Sequence, residues 1–551
     1  MNKLDDNNSD IQDGADSDQE DPEQLLNDWL GELDALTGST DNLVCSRSAG
    51  VSILRPTFSM TDVLSLEDYH TVVRHYLDIE NFVVINYVVK PFFSEVNGFL
   101  GEHLLLEVTV RIDERERTLR FFAKRFPFGH RMQSRFLESM HGWQREIYFF
   151  EKLIPALRDT LPNYEVDFLP RYFLGRPNSF IVFEDLTLRN YDLPRQANLN
   201  MLDNQHICLA LKSLAKYHAG YLAYEEHMSR KSGGTFRLFT GREEMVLEPL
   251  LRKQEGFLGY DWFRAGVKGL RALIGRVYSG PSSGLEKVEE KYNVLVEKAL
   301  QLLFPHDNFR CVLAHGDMWG KNIMYQYDGD GTDPLNAILV DFQLQRYNVP
   351  IHDVLLFVSL TTDRSTRQKY FHFYLRTYHQ ALCNELASQD VTPEQVSMTY
   401  DDLLKSVNFI MPEIQIQGPL QRLQQCGNKD FFKNLLQEKE QYIKYIFDDK
   451  TPFALELFDT DANFKQVLTE AVEDVIEASL YPEVSREDCY RILEDTLGDV
   501  KYDLRDYVVE TVDGKKYLYK LILNVSGLEC RKYEFLVKNE PFDFPRIVKE
   551  L

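Results

Sequence analysis

Two four-residue apolar runs, each opening into an acidic turn, restrict this chain more than anything else in it. Residues 311–314 (Cys-Val-Leu-Ala) lead into His315-Gly316-Asp317-Met318-Trp319-Gly320-Lys321-Asn322, and residues 337–340 (Ala-Ile-Leu-Val) lead into Asp341-Phe342-Gln343. Short apolar runs bounded by turn residues read as buried strands, and a buried strand fixes the position of the residue at its end while leaving that side chain free. An Asp and an Asn five residues apart, then a strand and another Asp, is the set that metal-assisted phosphoryl transfer requires. One carboxylate accepts or orients the proton of a substrate hydroxyl. An amide oxygen and a second carboxylate hold Mg²⁺, which prefers hard oxygen ligands, against the phosphates of ATP. The spacing therefore predicts Asp317 as catalytic base and Asn322 and Asp341 as metal ligands. The competing reading is turn chemistry, since Asp and Asn both favour turns. His315 reads as a structural histidine bonded to backbone, and Trp319 as a packing residue of the loop.

The segment upstream supplies what such a set lacks. Residues 65–79 read as an amphipathic helix, 82–89, 104–112 and 119–126 as strands, 136–153 as a helix closed by Pro155, and 172–174 and 180–183 as further short strands. Lys124 lies among apolar residues in one of these strands and so needs a partner. Glu146 on the following helix is the candidate, with Glu138 and Glu151 in competition. A Lys–Glu pair of this kind presents an ammonium to the α and β phosphates. Arg125 takes the place of Lys124 if the register slips by one. Gly98 and Gly101, between two strands, let backbone amides approach a phosphate; an ordinary hairpin loop explains them equally. Phe183-Glu184-Asp185-Leu186 fits a strand-to-linker crossing where adenine bonds to the main chain. From residue 202 the pattern is helical, with Ile207, Leu211, Leu214 and His218 on one face, and helical pattern dominates again from about 341 to 480. The expected fold is α+β and bilobal, protein-kinase-like, with a small mixed lobe around an antiparallel sheet and a larger, mainly helical lobe.

Composition narrows the partners. The formal net charge is −24, from 86 acids against 62 bases, which argues against nucleic acid and anionic membrane as ligands. The seven cysteines are widely separated with no C-x-x-C pair, so neither a zinc site nor a disulfide framework is expected. No signal peptide and no run long enough to span a bilayer is visible, and a cytoplasmic location follows. Residues 1–24 are too polar to pack, and Leu25, Leu26, Trp29, Leu30, Leu33 and Leu36 recur at helical spacing in an acidic stretch, the pattern of a transient helix in a loose tail or, second to that, of a short helix docking on a partner or on the body of the protein.

These residues carry a family resemblance. Gly98-Phe99-Leu100-Gly101, the Lys124 strand, Glu146 with Tyr148 and Pro155, Glu184-Asp185-Leu186, the helix around Leu214-Ala215-Lys216-Tyr217-His218-Ala219, H-G-D-M-W-G-K-N at 315–322, D-F-Q at 341–343, Pro350 and Asp353 together resemble the ecdysteroid kinase-like family. That family is related to choline kinases and aminoglycoside phosphotransferases. The resemblance runs from about residue 60 to about 480. It implies ATP and Mg²⁺, a hydroxyl on a small lipophilic molecule (an ecdysteroid or a foreign compound) as acceptor, and a structural role for Asp353. A catalytically silent kinase-fold scaffold is the alternative from another class. A protein kinase is disfavoured by D-F-Q in place of D-F-G and by the lack of a following A-P-E.

The end of the chain repeats its beginning. A shift of 420 places Ser65, Glu67, Asp68, Leu77 and Tyr87-Val88-Val89 on Ser485, Glu487, Asp488, Leu497 and Tyr507-Val508-Val509, and Phe122-Ala123-Lys124 resembles Leu536-Val537-Lys538 after a six-residue shortening. The expected organisation is an acidic, largely disordered tail at 1–59, a small lobe at 60–186, a large helical lobe at 187–483, and at 484–551 a second small-lobe fragment cut off after its lysine strand. A protein partner or a dimer contact is expected through the tail or that fragment.

Overall fold

The structure, a computed structural model, describes residues 64–92, 101–127, 131–196, 198, 200–239, 248–254, 256–304, 309–426, 431, 435 and 438–480. It also describes residues 489, 490, 492, 493 and 496 and four strands between 503 and 550. Gly98 and the tail 1–59 lie outside the described residues.

Local chemistry sets the first helix. Leu66–Leu77 opens with a capping box: the Asp68 N–H donates to Ser65 Oγ (3.2 Å) and the Ser65 N–H donates to Asp68 Oδ2 (2.9 Å). Its apolar face, Tyr69, Val72 and Val73, is fully buried against a sheet. That sheet consists of β1 (Val83–Pro91), β2 (Glu102–Ile112), β3 (Arg115–Arg125), β4 (Tyr172–Arg176) and β5 (Phe180–Glu184) in the order β1-β2-β3-β5-β4. Every neighbouring pair is antiparallel. Strand alternation divides the two faces. Leu104, Leu106, Val108, Val110, Leu119, Phe121 and Ala123 pack under the helix, while His103, Phe122 and Lys124 face a cavity.

The segment 136–153, expected as one helix ended by Pro155, is broken in two places and continues past the proline. Arg131–Met140 stops at His141, which adopts a left-handed conformation (φ 52°), and Gly142–Tyr148 starts anew. A wider turn, Phe149–Leu153, follows, and then Ile154–Thr160. Pro155 falls in the first turn of that last piece, where its missing N–H removes no bond. Gly142 packs closely on a distant turn: a Cβ there would lie 3.2 Å from Gln343 Cβ.

The rest of the described chain is mainly helical. Asn204–Ser232 is capped by Asp203, whose carboxylate accepts from the Gln205 and His206 N–H groups. Helices Leu258–Val277, Ser282–Leu302, Ile351–Thr361, Arg364–Ser388, Tyr400–Gln425, Thr451–Thr460 and Ala462–Leu480 share one large hydrophobic core with it. Two small sheets are set among them: β6 (Tyr191–Asp192) with β8 (Ile323–Tyr327) and β9 (Pro334–Leu339), and β7 (Val312–Ala314) with β10 (Arg346–Asn348). The described residues thus form an α+β protein. No described helix is long and apolar enough to cross a membrane.

β11 (Asp503–Thr511), β12 (Leu518–Ser526), β13 (Arg531–Lys538) and β14 (Arg546–Glu550) make a fourth antiparallel sheet in sequential order. Its register copies that of β1–β3. The bulge between Val84 and Asn86 in β1 recurs 420 positions on, between Leu504 and Asp506 in β11. Tyr87 pairs with Val108 as Tyr507 pairs with Leu523, and Leu106 pairs with Phe121 as Leu521 pairs with Phe535. The core beneath is copied as well. Cys489, Ile492 and Leu493 correspond to Tyr69, Val72 and Val73 at a shift of 420. Leu521, Leu523 and Val525 correspond to Leu106, Val108 and Val110 at a shift of 415. Phe535 and Val537 correspond to Phe121 and Ala123 at a shift of 414. β14 pairs with β13 as β5 pairs with β3, setting Glu550 opposite Phe535 where Glu184 stands opposite Phe121.

Candidate active site

β7 ends in the 315–322 turn, and what holds that turn is buried beneath it. Gly316 has φ +80°, and a Cβ there would lie 2.0 Å from the Leu344 carbonyl oxygen, so only glycine fits. Asp353, fully buried, accepts from the His315 N–H (2.6 Å) and the Gly316 N–H (2.9 Å). From the other side Arg346, also fully buried, donates to the Gly316 carbonyl (2.8 Å) and pairs with Glu248 (2.5 Å). His218 and His352 contact Asp353 at 3.2 and 3.5 Å. Burial works against ionising the Asp353 carboxyl, but the two histidines outweigh it and hold its pKa well below the usual range. His315 takes no exposed role. Its Nδ1 accepts from the Asp317 N–H (3.3 Å), which leaves Nε2–H to donate to the Val340 carbonyl (3.1 Å). Burial lowers its pKa, so the ring is neutral.

Asp317 and Asn322 meet on this frame: Asn322 Nδ2 donates to Asp317 Oδ2 and to the Asp317 carbonyl, both at 2.8 Å. Burial, and then the nearby Asp341 charge, push the Asp317 pKa up to about 7.

Asp341 follows β9 in a left-handed conformation (φ 68°), tolerable for Asp and disfavoured for most residues. Lys124 joins it from β3. Lys124 Nζ lies 2.7 Å from Asp341 Oδ1 and 2.9 Å from Glu146 Oε2, and Glu146 Oε1 accepts the Phe342 N–H at 3.1 Å. Burial favours neutral Lys124, but Asp341 and Glu146 outweigh it and raise its pKa. The same ammonium offsets burial at Asp341 and holds that carboxyl below its ordinary value. At Glu146 burial prevails and the pKa rises. The alternatives weighed for this pair go elsewhere: Arg125 bonds to Glu102, and Glu151 accepts from the Tyr172 hydroxyl.

Lys124, Glu146, Asp317, Asn322 and Asp341 all line one cavity of about 270 Å³, together with Gly101, Phe183, Glu184, Leu186 and Trp319. Among the described residues no cluster of three or more His, Cys, Asp and Glu could hold a metal. Mg²⁺ does not need such a cage; it takes one or two carboxylates and fills its shell with water and phosphate oxygens. Asn322 spends its Nδ2 on Asp317, leaving Oδ1 for another use beside the two acids, so the donor set fits that ion.

The model of the ecdysteroid kinase-like family matches residues 98–391. The chain belongs to this family. The match spans Lys124, Glu146, the 315–322 turn, the 341–343 turn and Asp353, and it leaves 392–551 outside. No curated protein matches the chain. As a member of a kinase-like phosphotransferase family, the chain fits a small-molecule kinase in general terms.

Several residues essential to this geometry were not legible in the sequence. Arg346 and Glu248 stand 98 positions apart and form a fully buried pair. His352 Nε2 lies 3.1 Å from a Glu413 carboxylate oxygen, and burial notwithstanding, Glu413 raises the His352 pKa to about 9. The only sequence signal for these groups was charge inside apolar stretches.

Proposed function

We propose that the protein is an ATP- and Mg²⁺-dependent phosphotransferase acting on a hydroxyl of a small lipophilic molecule, an ecdysteroid or a foreign compound of similar character. The observation that carries this reading is the meeting of Lys124, Glu146, Asp317, Asn322 and Asp341 at one cavity. Lys124, steadied by Glu146, holds the α and β phosphates. Gly101, and Gly98 before it, let backbone amides approach them. Asn322 and Asp341 would hold Mg²⁺, which when bound would supply positive charge beside the phosphate oxygens. Asp317 takes the proton of the acceptor hydroxyl as its oxygen bonds to the γ-phosphorus; the bond from that phosphorus to the β–γ bridging oxygen breaks, and ADP leaves.

In this reading 60–186 is the small lobe and 187–483 the large lobe of a two-lobed kinase fold, with the nucleotide between them. Support comes from a cavity lined by both the β1–β5 sheet and the helix-rich region. A cytoplasmic location is part of the same reading; Cys208, Cys311, Cys383, Cys426 and Cys489 are free thiols. The purified protein, incubated with MgATP and a panel of hydroxysteroids, choline and plant phenolics, should release ADP with at least one alcohol, and Asp317→Asn should stop it. No acceptor-dependent ADP and no MgATP binding would leave the scaffold reading in its place.

Residues 484–551 are, in the same proposal, a second copy of the small-lobe opening. Two copies of one bulge and eight matched core positions support it. Nothing in that segment corresponds to Asp317, Asn322 or Asp341, so it transfers no phosphate; it and the acidic tail are the surfaces for a partner or second copy. Phe535→Ala in the full chain should abolish amide-exchange protection in β11–β14 and leave that of β1–β5 intact. Coupled loss in both sheets would contradict a separate unit.

A further inference from the structure

The turn that carries Asp317 is gripped from two sides, and one grip leads out to the wall of the cavity. Asp353 holds the turn by its N–H groups. Arg346 holds it by a carbonyl: Nη2 donates to the Gly316 oxygen at 2.8 Å, on the peptide bond that joins Gly316 to Asp317. Fixing that peptide fixes where the Asp317 side chain begins. Arg346 is fully buried, and its Nη1 lies 3.2 Å from Gln417 Oε1 and 2.5 Å from Glu248 Oε2.

Glu248 has a second task. Its Oε1 accepts the Leu250 N–H at 2.8 Å and the Leu251 N–H at 3.0 Å. Leu250 lines the cavity, as do the apolar residues Phe136, Met140 and Trp262. The Leu250 carbonyl is also seated closely on the helix Leu258–Val277: a Cβ at Gly259 would lie 2.1 Å from its oxygen. One carboxylate, 1% exposed, thus joins the backbone of a cavity wall to the guanidinium that holds the peptide of Asp317. From Leu250 to Gly316 the path is a hydrogen bond, an ion pair and a hydrogen bond, at 2.8, 2.5 and 2.8 Å.

Stability alone does not account for this pair. Taking both charges out of water is costly, and packed hydrocarbon of similar volume is often as stable. What hydrocarbon cannot supply is a planar fork that meets a carboxylate and a carbonyl in fixed directions. We propose that Glu248 and Arg346 are positioning residues that hold the Gly316–Asp317 peptide in register with the Leu250 wall, so that the hydroxyl of an acceptor seated against that wall meets Asp317. The inference rests on the phosphotransferase reading for the role of Asp317; the anchoring of the peptide does not.

The test replaces the pair by hydrocarbon in the full chain, Glu248→Met together with Arg346→Leu. A second variant, Arg346→Lys, keeps a cation beside Glu248 and gives up the fork. Tm reports stability, and amide exchange of residues 315–319 without nucleotide reports the anchor. ADP release with MgATP and the panel of hydroxysteroids, choline and plant phenolics reports transfer. At least one variant should keep its Tm within about 5 °C of wild type and exchange amides 315–319 at least about tenfold faster. That variant should lose about 10²-fold in kcat, the effect of a displacement of about 1 Å, with KM for MgATP retained. Unchanged exchange or unchanged kcat in a folded variant would overturn the proposal. So would a lowered Tm in both variants with exchange raised equally along the whole chain, the mark of a purely structural pair. If the wild type forms no ADP with any alcohol, the phosphotransferase reading falls; the anchor then stands on exchange raised at 315–319 alone and falls without it.

Discussion

The Lys124 ammonium lies 2.7 Å from the Asp341 carboxylate, 217 positions further along the chain. With Glu146 on its other side, Lys124 is a cation only 5% exposed, held between two acids. Removing one member of such a group leaves buried charge uncompensated. Lys124→Met should therefore cost about 3–5 kcal/mol of stability, read by urea denaturation, and abolish nucleotide-dependent activity. Glu146→Gln should cost less, because its burial already favours the protonated form.

Asp317→Asn should lower acceptor-dependent ADP formation by about 10²–10⁴-fold, the usual worth of a general base, with MgATP affinity little changed. In the wild type, kcat/KM should fall below pH of about 7 as Asp317 takes up its proton, and level off above it. Stability carries the opposite sign. The unfolded carboxyl loses its proton near 3.8 and the folded one near 7, so stability declines as pH rises between them. Thermal unfolding of Asp317→Asn across that window should show the decline removed.

Gly316→Ala should be among the most damaging single substitutions in the chain. The left-handed φ costs about 1–3 kcal/mol for a non-glycine residue, and the new methyl would meet the Leu344 carbonyl. The expected outcome is a lowered Tm and loss of transfer with any alcohol.

Lys450 gives a pH signature in the alkaline range. Burial lowers its pKa from 10.5 to about 7, and the Trp262 and Tyr445 ring faces offset part of the cost of its charge. The unfolded chain keeps the proton up to about 10.5 and the folded protein releases it above about 7. Stability should thus rise as pH climbs from 7 toward 10.5. Lys450→Met should unfold at a higher temperature than wild type at pH 7, with the gap narrowing by pH 10.

The contrast between what could and could not be read from the chain has a physical basis. The turns after β7 and β9 were legible because a buried strand leaves few residue types able to follow it. Lys124 was legible because an ammonium inside an apolar strand requires a partner, and the alternation of β3 turns it to the cavity. Arg346 was not, because its partners Glu248, Gly316 and Gln417 come from distant segments. β10 was missed because three residues carry no periodicity. The close fit of Gly142 against Gln343, 201 positions away, is a contact that no local pattern encodes.

The matched sheets β1–β3 and β11–β13 act as an internal control written by the chain itself. Where the two agree, at Phe121 and Phe535 or Leu106 and Leu521, the residue answers to packing. Where they part, the difference is informative: Leu518 stands at the register position of His103, and Leu536 at that of Phe122, both of which border the cavity in the first sheet. Grafting residues between the two sheets would separate the demands of folding from those of chemistry within a single polypeptide.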